Sequence, residues 1–174
     1  MQVHKNVKSL KENISALKEK NLTIGFVPTM GALHKGHLSL IKCAKEKSDF
    51  VVVSIFVNPT QFNNSEDLEN YPITLHEDIK LLEDEQCDIL FCPEISEIYP
   101  KGNITKKYPL NGLDKTLEGE KRPGHFDGVC TVVHHLFDIV TPDKALFGEK
   151  DFQQLAIIKH LVKKLALEID IVSC

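Results

Sequence analysis

Phe50-Val51-Val52-Val53-Ser54-Ile55-Phe56-Val57 is the run that decides the fold. It is β-branched and aromatic, and it is apolar at odd and even positions alike. A strand with one wet face alternates between apolar and polar; a strand covered on both sides does not. The run therefore predicts a central strand of a parallel sheet with helices on both faces. Upstream, Thr23 to Val27 predicts a short buried strand ending at Pro28, and a helix from near Gly36 that buries Leu40, Ile41 and Ala44 joins the two. Val7, Leu10, Ile14 and Leu17 mark an earlier helix at a period of 3.6. Downstream, Asn58 to Pro72 is polar with two prolines and predicts a loop. Leu75, Ile79 and Leu82 mark a helix, and Asp88 to Phe91 a strand stopped by Pro93. Pro93 to Pro123 predicts an irregular surface stretch. A helix through Val129, Val132, Val133, Leu136 and Val140, a strand at Ala145–Phe147, a helix through Leu155, Ile158, Val162 and Leu165, and a fifth strand at Ile169–Val172 complete the pattern. Alternating strands and helices with short connections define an α/β fold, a doubly wound parallel sheet, as one domain over residues 1–174.

Composition narrows the function classes. With 174 residues, 42% of them hydrophobic and 26% charged, the chain has a globular composition. A net charge of −4 with no Lys/Arg run argues against a nucleic-acid partner. The N-terminus lacks the apolar core of a signal peptide, and no segment has the roughly 18 apolar residues of a membrane helix. A cytoplasmic protein with no membrane contact is expected. The five cysteines, Cys43, Cys87, Cys92, Cys130 and Cys174, show no Cys-x-x-Cys spacing, so free thiols are expected.

Ligands of doubly wound folds sit beyond the carboxyl ends of the strands. After the first predicted strand comes Met30-Gly31-Ala32-Leu33-His34-Lys35-Gly36-His37. His34 and His37 share one side of a helical turn, at a helix start whose unpaired N–H groups favour phosphate. Gly31 and Gly36 let the backbone approach a ligand closely. Two imidazoles there are suited to hold charge on a phosphate under attack. The same pair also fits a metal site or plain surface polarity, but a catalytic zinc needs a third ligand that does not follow, so no metal is assigned. Gly-x-Gly-x-x-Gly and the P-loop pattern are both missing. After the strongest strand, Gln61 reads either as a turn residue facing solvent or as an amide gripping a small hydroxy acid. After Ala145–Phe147 come Gly148, Glu149, Lys150 and Asp151. Lys150 is placed to meet phosphates, and Asp151 to cap the next helix. Gln154 lies one turn on; Gln153 points about 100° away. Arg122 suits either a ligand or a local salt bridge. Asp127 is read as a helix N-terminal residue, His134 and His135 as helix surface, and His125 stays open.

His34-x-Gly36-His37 after a first strand resembles the signature of the Rossmann-like nucleotidyltransferase superfamily. Five blocks in order, PTMGALHKGHLSL (28–40), SIFVNPTQF (54–62), EDLENYP (66–72), EGEKRPGHFDGV (118–129) and FGEKDFQQL (147–155), resemble the pantothenate synthetase family (pantoate–β-alanine ligases). The resemblance implies ATP-dependent ligation of pantoate and β-alanine to pantothenate through pantoyl adenylate, releasing AMP and pyrophosphate. It implies ATP contacts at residues 30–37 (Met30, Gly31, Ala32, Leu33, His34, Lys35, Gly36, His37) and at Gly148, Glu149, Lys150 and Asp151. His37, His34 and Lys150 would be catalytic, with Mg²⁺ accompanying ATP. Gln61 and Gln154 would contact pantoate, and the helix carrying Val132, Val133 and Leu136 would line its pocket. A homodimer is implied. Family members also carry a smaller C-terminal domain whose loop closes over the phosphates. That domain is not among these residues, so the chain alone is expected to be impaired. The alternatives are another nucleotidyltransferase, opposed by the second and fifth blocks, and a non-catalytic nucleotide-binding module.

Overall fold

A computed structural model describes residues 1–174. Six strands form one all-parallel sheet: β1 (Gln2–His4), β2 (Ile24–Thr29), β3 (Phe50–Ile55), β4 (Ile89–Phe91), β5 (Lys144–Phe147) and β6 (Asp170–Ser173), in the order β1-β4-β3-β2-β5-β6. The helices are α1 (Val7–Lys18), α2 (Lys35–Lys47), α3 (Ser65–Glu69), α4 (Leu75–Asp84), α5 (Ile95–Ile98), α6 (Leu117–Lys121), α7 (His125–Val140) and α8 (Phe152–Lys164). The doubly wound reading holds. The chain steps one way from β2 through β3 to β4 and then returns to the other side of β2 with β5. The strand order thus reverses between β2 and β5, and a crevice opens at such a reversal.

The apolar run at Phe50 behaves as its composition requires. Val51 and Val53 join one core with Val27, Leu90 and Leu146 under α2 and α4. Val52 joins the other with Phe26, Ile89, Phe91 and Phe147 under α1, α7 and α8. Both faces of β3 are dry, which is why it shows no alternation.

Four expectations need correction. A sixth strand, β1, precedes the five expected; three residues on the sheet edge are too short for a periodic signal. Strand β2 runs through Pro28 to Thr29 instead of stopping. Pro28 lies past the last β2–β5 pairing, Phe26 with Ala145, so its missing N–H breaks no rung on that side. The 58–72 stretch is not wholly loop. It holds a 3₁₀ turn at Pro59–Gln61 and helix α3, each started by an asparagine side chain accepting a backbone N–H: Asn58 from Thr60, Asn64 from Glu66. Within 93–123, otherwise irregular, α5 and α6 each add about one turn.

Candidate active site

A cleft of about 430 Å³ opens at the β2/β5 reversal. A wider hollow of about 890 Å³ at the opposite end, between α1 and the turn before β4, contains none of the ligand-contacting residues expected from the sequence. The cleft brings together Met30, His34, Gly36 and His37 from the β2–α2 connection, Gln61 from the 3₁₀ turn, Gly148 to Asp151 after β5, and Gln154 from α8. Val132, Val133 and Leu136 of α7 form its apolar wall, as expected. Gly31, Ala32, Leu33 and Lys35 stay outside the lining. Leu33 is buried in the core under α2, and the Lys35 side chain is exposed.

The two histidines cap their own helix. His34 occupies the N-cap of α2 and its Nδ1 accepts the Gly36 N–H at 3.1 Å; the His34 N–H donates to His37 Nδ1 at 3.3 Å. The rings stack with centroids 4.1 Å apart. Each Nδ1 is thus an acceptor, and the hydrogen-bond network assigns both imidazoles the neutral tautomer with the proton on Nε2. Burial first, then His34 and Lys150, push the His37 imidazole below its ordinary value, against the opposite pull of Asp78 and Asp151. His37 therefore presents an Nε2–H donor at neutral pH. Across the cleft, Lys150 is exposed and takes part in none of the chain's ion pairs. The side chain of Asp151 makes no cap bond, contrary to expectation; a 3₁₀ turn over 149–151 places it at the cleft instead.

Gln61 does not face solvent. Its Oε1 accepts from Asn58 Nδ2 at 3.1 Å, and its amide nitrogen lies 2.8 Å from Met30 Sδ. Asn58 is 1% exposed and anchors the turn: its Oδ1 accepts from Thr60 N–H, Thr60 Oγ1 and Tyr99 OH, and its Nδ2 also donates to the Gly128 carbonyl. His125 and Arg122 grip the Gln61 carbonyl from outside, at 2.8 and 3.4 Å, and Arg122 pairs with Glu118 at 2.6 Å. Neither lines the cleft, so the local salt-bridge reading of Arg122 is the one observed. Gln153 points away and bonds the 113–118 segment, as its helical position requires. Sequence reasoning missed Asn58, Tyr71, Phe56 and Val129 as cleft residues. Asn58 carried a usable signal, being the first residue after the central strand.

His134 and His135 are not bare surface. His134 pairs with Tyr108 OH at 3.0 Å and His135 packs edge-on against Tyr99. The free-thiol expectation fails for one pair: Cys43 of α2 and Cys174 after β6 are bonded, with Cα atoms 7.1 Å apart. Cys87, Cys92 and Cys130 are free. Burial pushes Cys87 up to about 11 and Cys130 to about 12, which leaves both unreactive.

Four histidines, His4, His37, His125 and His135, are held below their ordinary values, with burial the largest cause in each. The unfolded chain takes up these protons near pH 6.5, before the folded chain does. Stability is therefore full above about 6.5 and is lost as the pH falls from there through the lowered folded values. Thermal melts between pH 7 and pH 5 should show a falling Tm, each kcal/mol appearing as about 2–4 °C. A flat or rising Tm over that range would contradict the neutral assignment.

A family model described as Pantoate-beta-alanine ligase matches residues 2–174. A pantothenate synthetase of Christiangramia forsetii is 54% identical over 175 residues, covering 100% of this chain and 62% of that protein. One from Aquifex aeolicus is 52% identical over 97% of this chain and 59% of its own length. The pantoate-beta-alanine ligase of Francisella tularensis, solved complexed with beta-gamma ATP and beta-alanine, superposes with a TM-score of 0.96 at 48% identity, over 100% of this chain and 66% of that one. The Thermus thermophilus pantothenate synthetase gives 0.92 at 43% identity, over 100% of this chain and 61% of that one. The chain thus spans about 60% of the length of the curated relatives it matches.

Proposed function

The chain belongs to the pantoate-beta-alanine ligase family, and on that premise we propose that its cleft binds ATP beside pantoate and that the protein carrying it joins pantoate to β-alanine. The observation that carries this reading is the facing of two neutral, stacked imidazoles at the α2 N-terminus with the unpaired Lys150 across the strand-order reversal, next to an amide-flanked apolar wall. In the first step a pantoate carboxylate oxygen bonds to the α-phosphorus of ATP and the bond to the bridging oxygen breaks, releasing pyrophosphate. In the second, the β-alanine amine attacks the acyl carbon, the acyl–phosphate bond breaks, and AMP leaves with pantothenate. No side chain becomes covalently attached.

Each residue has a physical task in this scheme. His37 Nε2–H, His34 and the Lys150 ammonium hold the negative charge that grows on the phosphates. Gln61 and Gln154 fix the polar end of pantoate, while Val132, Val133 and Leu136 cover its apolar body and keep water out. Mg²⁺ would enter with the nucleotide, as part of the substrate. The cleft carboxylates Glu149 and Asp151 are the protein groups that would hold it beside the phosphates. When bound, it neutralises phosphate charge. The homodimer and the cytoplasmic setting belong to the same proposal; no helix is long and apolar enough to cross a membrane.

Mass spectrometry of the protein with ATP, Mg²⁺ and pantoate tests the reading. Pantoyl adenylate is expected, converting to pantothenate and AMP once β-alanine is added. A nucleotide-retaining product, or no effect of pantoate on ATP, would overturn it.

A further inference from the structure

The β2–α2 connection has an unusual backbone. Gly31 and Ala32 both sit in the left-handed region, at φ +83° and +49°. Glycine accepts this readily; alanine is strained there because its Cβ crowds the following carbonyl. Two consecutive left-handed residues turn the chain sharply and aim His34 and His37 at the cleft. The strained turn is gripped from one side by α4. Asp78 is 2% exposed. Its Oδ2 accepts the Ala32 N–H at 3.0 Å and its Oδ1 accepts the Leu33 N–H at 2.8 Å. Thr74 Oγ1 adds a third donor at 3.2 Å.

No cation pairs with this buried carboxylate. A buried charge persists only where hydrogen bonds compensate it, and here two of the three come from the turn itself. A side chain at Gly31 would be strained by its φ of +83°, and its Cβ would press on Asp78 Oδ2 and Ile55, each 3.1 Å away. Asp78 comes from an element that supplies no residue to the cleft lining. Its hydrogen bonds reach the site through the turn.

We infer that Asp78 is a positioning residue for the nucleotide half of the cleft: its two oxygens hold the Ala32 and Leu33 N–H groups, fix the left-handed turn, and so set where His34 and His37 stand. This rests on the assignment of ATP to those histidines. Asparagine cannot replace this aspartate, because an amide offers one oxygen and turns an NH₂ donor toward the second N–H. Pantoate, held by Gln61 and Gln154 on other elements, should be indifferent.

The test is calorimetric titration of ATP and of pantoate into wild type and Asp78→Asn, with amide hydrogen exchange at Ala32 and Leu33. The expected result is ATP affinity reduced at least about tenfold, pantoate affinity within about twofold, and faster exchange at both amides. Unchanged ATP affinity, or equal loss for both ligands, would overturn the inference, because a general folding defect weakens both. Should Asp78→Asn fold poorly, the double variant with Ala32→Gly removes the strain the carboxylate opposes; it should regain part of the ATP affinity, and no recovery would count against the inference. Wild type binding neither ligand would sink the functional assignment, while exchange at the two amides would still decide whether Asp78 holds the turn.

Discussion

Replacing His37 by alanine is expected to slow pantoyl-adenylate formation by about 10²–10³-fold, the loss seen when one preorganised donor to a developing charge is removed. The donor is already oriented before any ligand arrives. His37 Nδ1 is occupied by the His34 N–H, so the proton resides on Nε2, and the ring is held by stacking on His34. The stability effect should be small by comparison. The lost contact is one helix-capping bond, worth about 1 kcal/mol. His37→Gln is the informative companion, since its amide N–H can donate but is not held by the stack; it should recover only part of the rate. Rates from single-turnover quenching, paired with thermal melts, separate the two effects. An alanine variant whose rate matches wild type would remove His37 from the chemistry.

Replacing Gly128 by alanine should be the most damaging single change to the fold near the site. Helix α7 crosses the 3₁₀ turn at Gly128. An added Cβ there would overlap the Thr60 carbonyl oxygen and come within 2.7 Å of its carbon and 2.8 Å of Gln61 Cα. These are backbone atoms, and no side-chain rotation relieves the overlap. The turn is also pinned from both sides, by Asn58, which bonds the Gly128 carbonyl, and by His125 on the Gln61 carbonyl. Overpacking in such a place costs about 1–3 kcal/mol or more, and the displaced turn carries Gln61. Chemical denaturation should show the lost stability, and pantoate affinity should fall further than ATP affinity. A variant with wild-type stability and unaltered pantoate binding would show that the turn is not held as described.

Much of this was legible in the residues. The dry strand at Phe50 announced its burial through its lack of alternation, and the strand–helix alternation settled the doubly wound class. That class directed attention to the residues after each strand, where His34, His37, Gln61, Lys150 and Gln154 all proved to face one cleft. Other features could not be read locally. Strand β1 is too short for any period to show. Helices α3, α5 and α6 are four or five residues long, too short for an apolar stripe to show; Asn64 caps α3, and α5 and α6 have no side-chain cap bond at all. The state of His37 depends first on its burial, then on its neighbour His34, and on Asp78, Asp151 and Lys150, which are far away in sequence. No local pattern encodes such a sum. Asp78 itself reads as one more charged residue in the first turns of an amphipathic helix. Only the fold reveals that it faces inward onto a left-handed turn.

The decisive measurement is pantoate-dependent exchange of labelled pyrophosphate into ATP, with β-alanine omitted. It isolates adenylation, the step assigned to the facing histidines and Lys150. Exchange that requires pantoate and is lost with His37→Ala is the expected result. Exchange that proceeds without pantoate, or persists unchanged in that variant, would contradict the assignment.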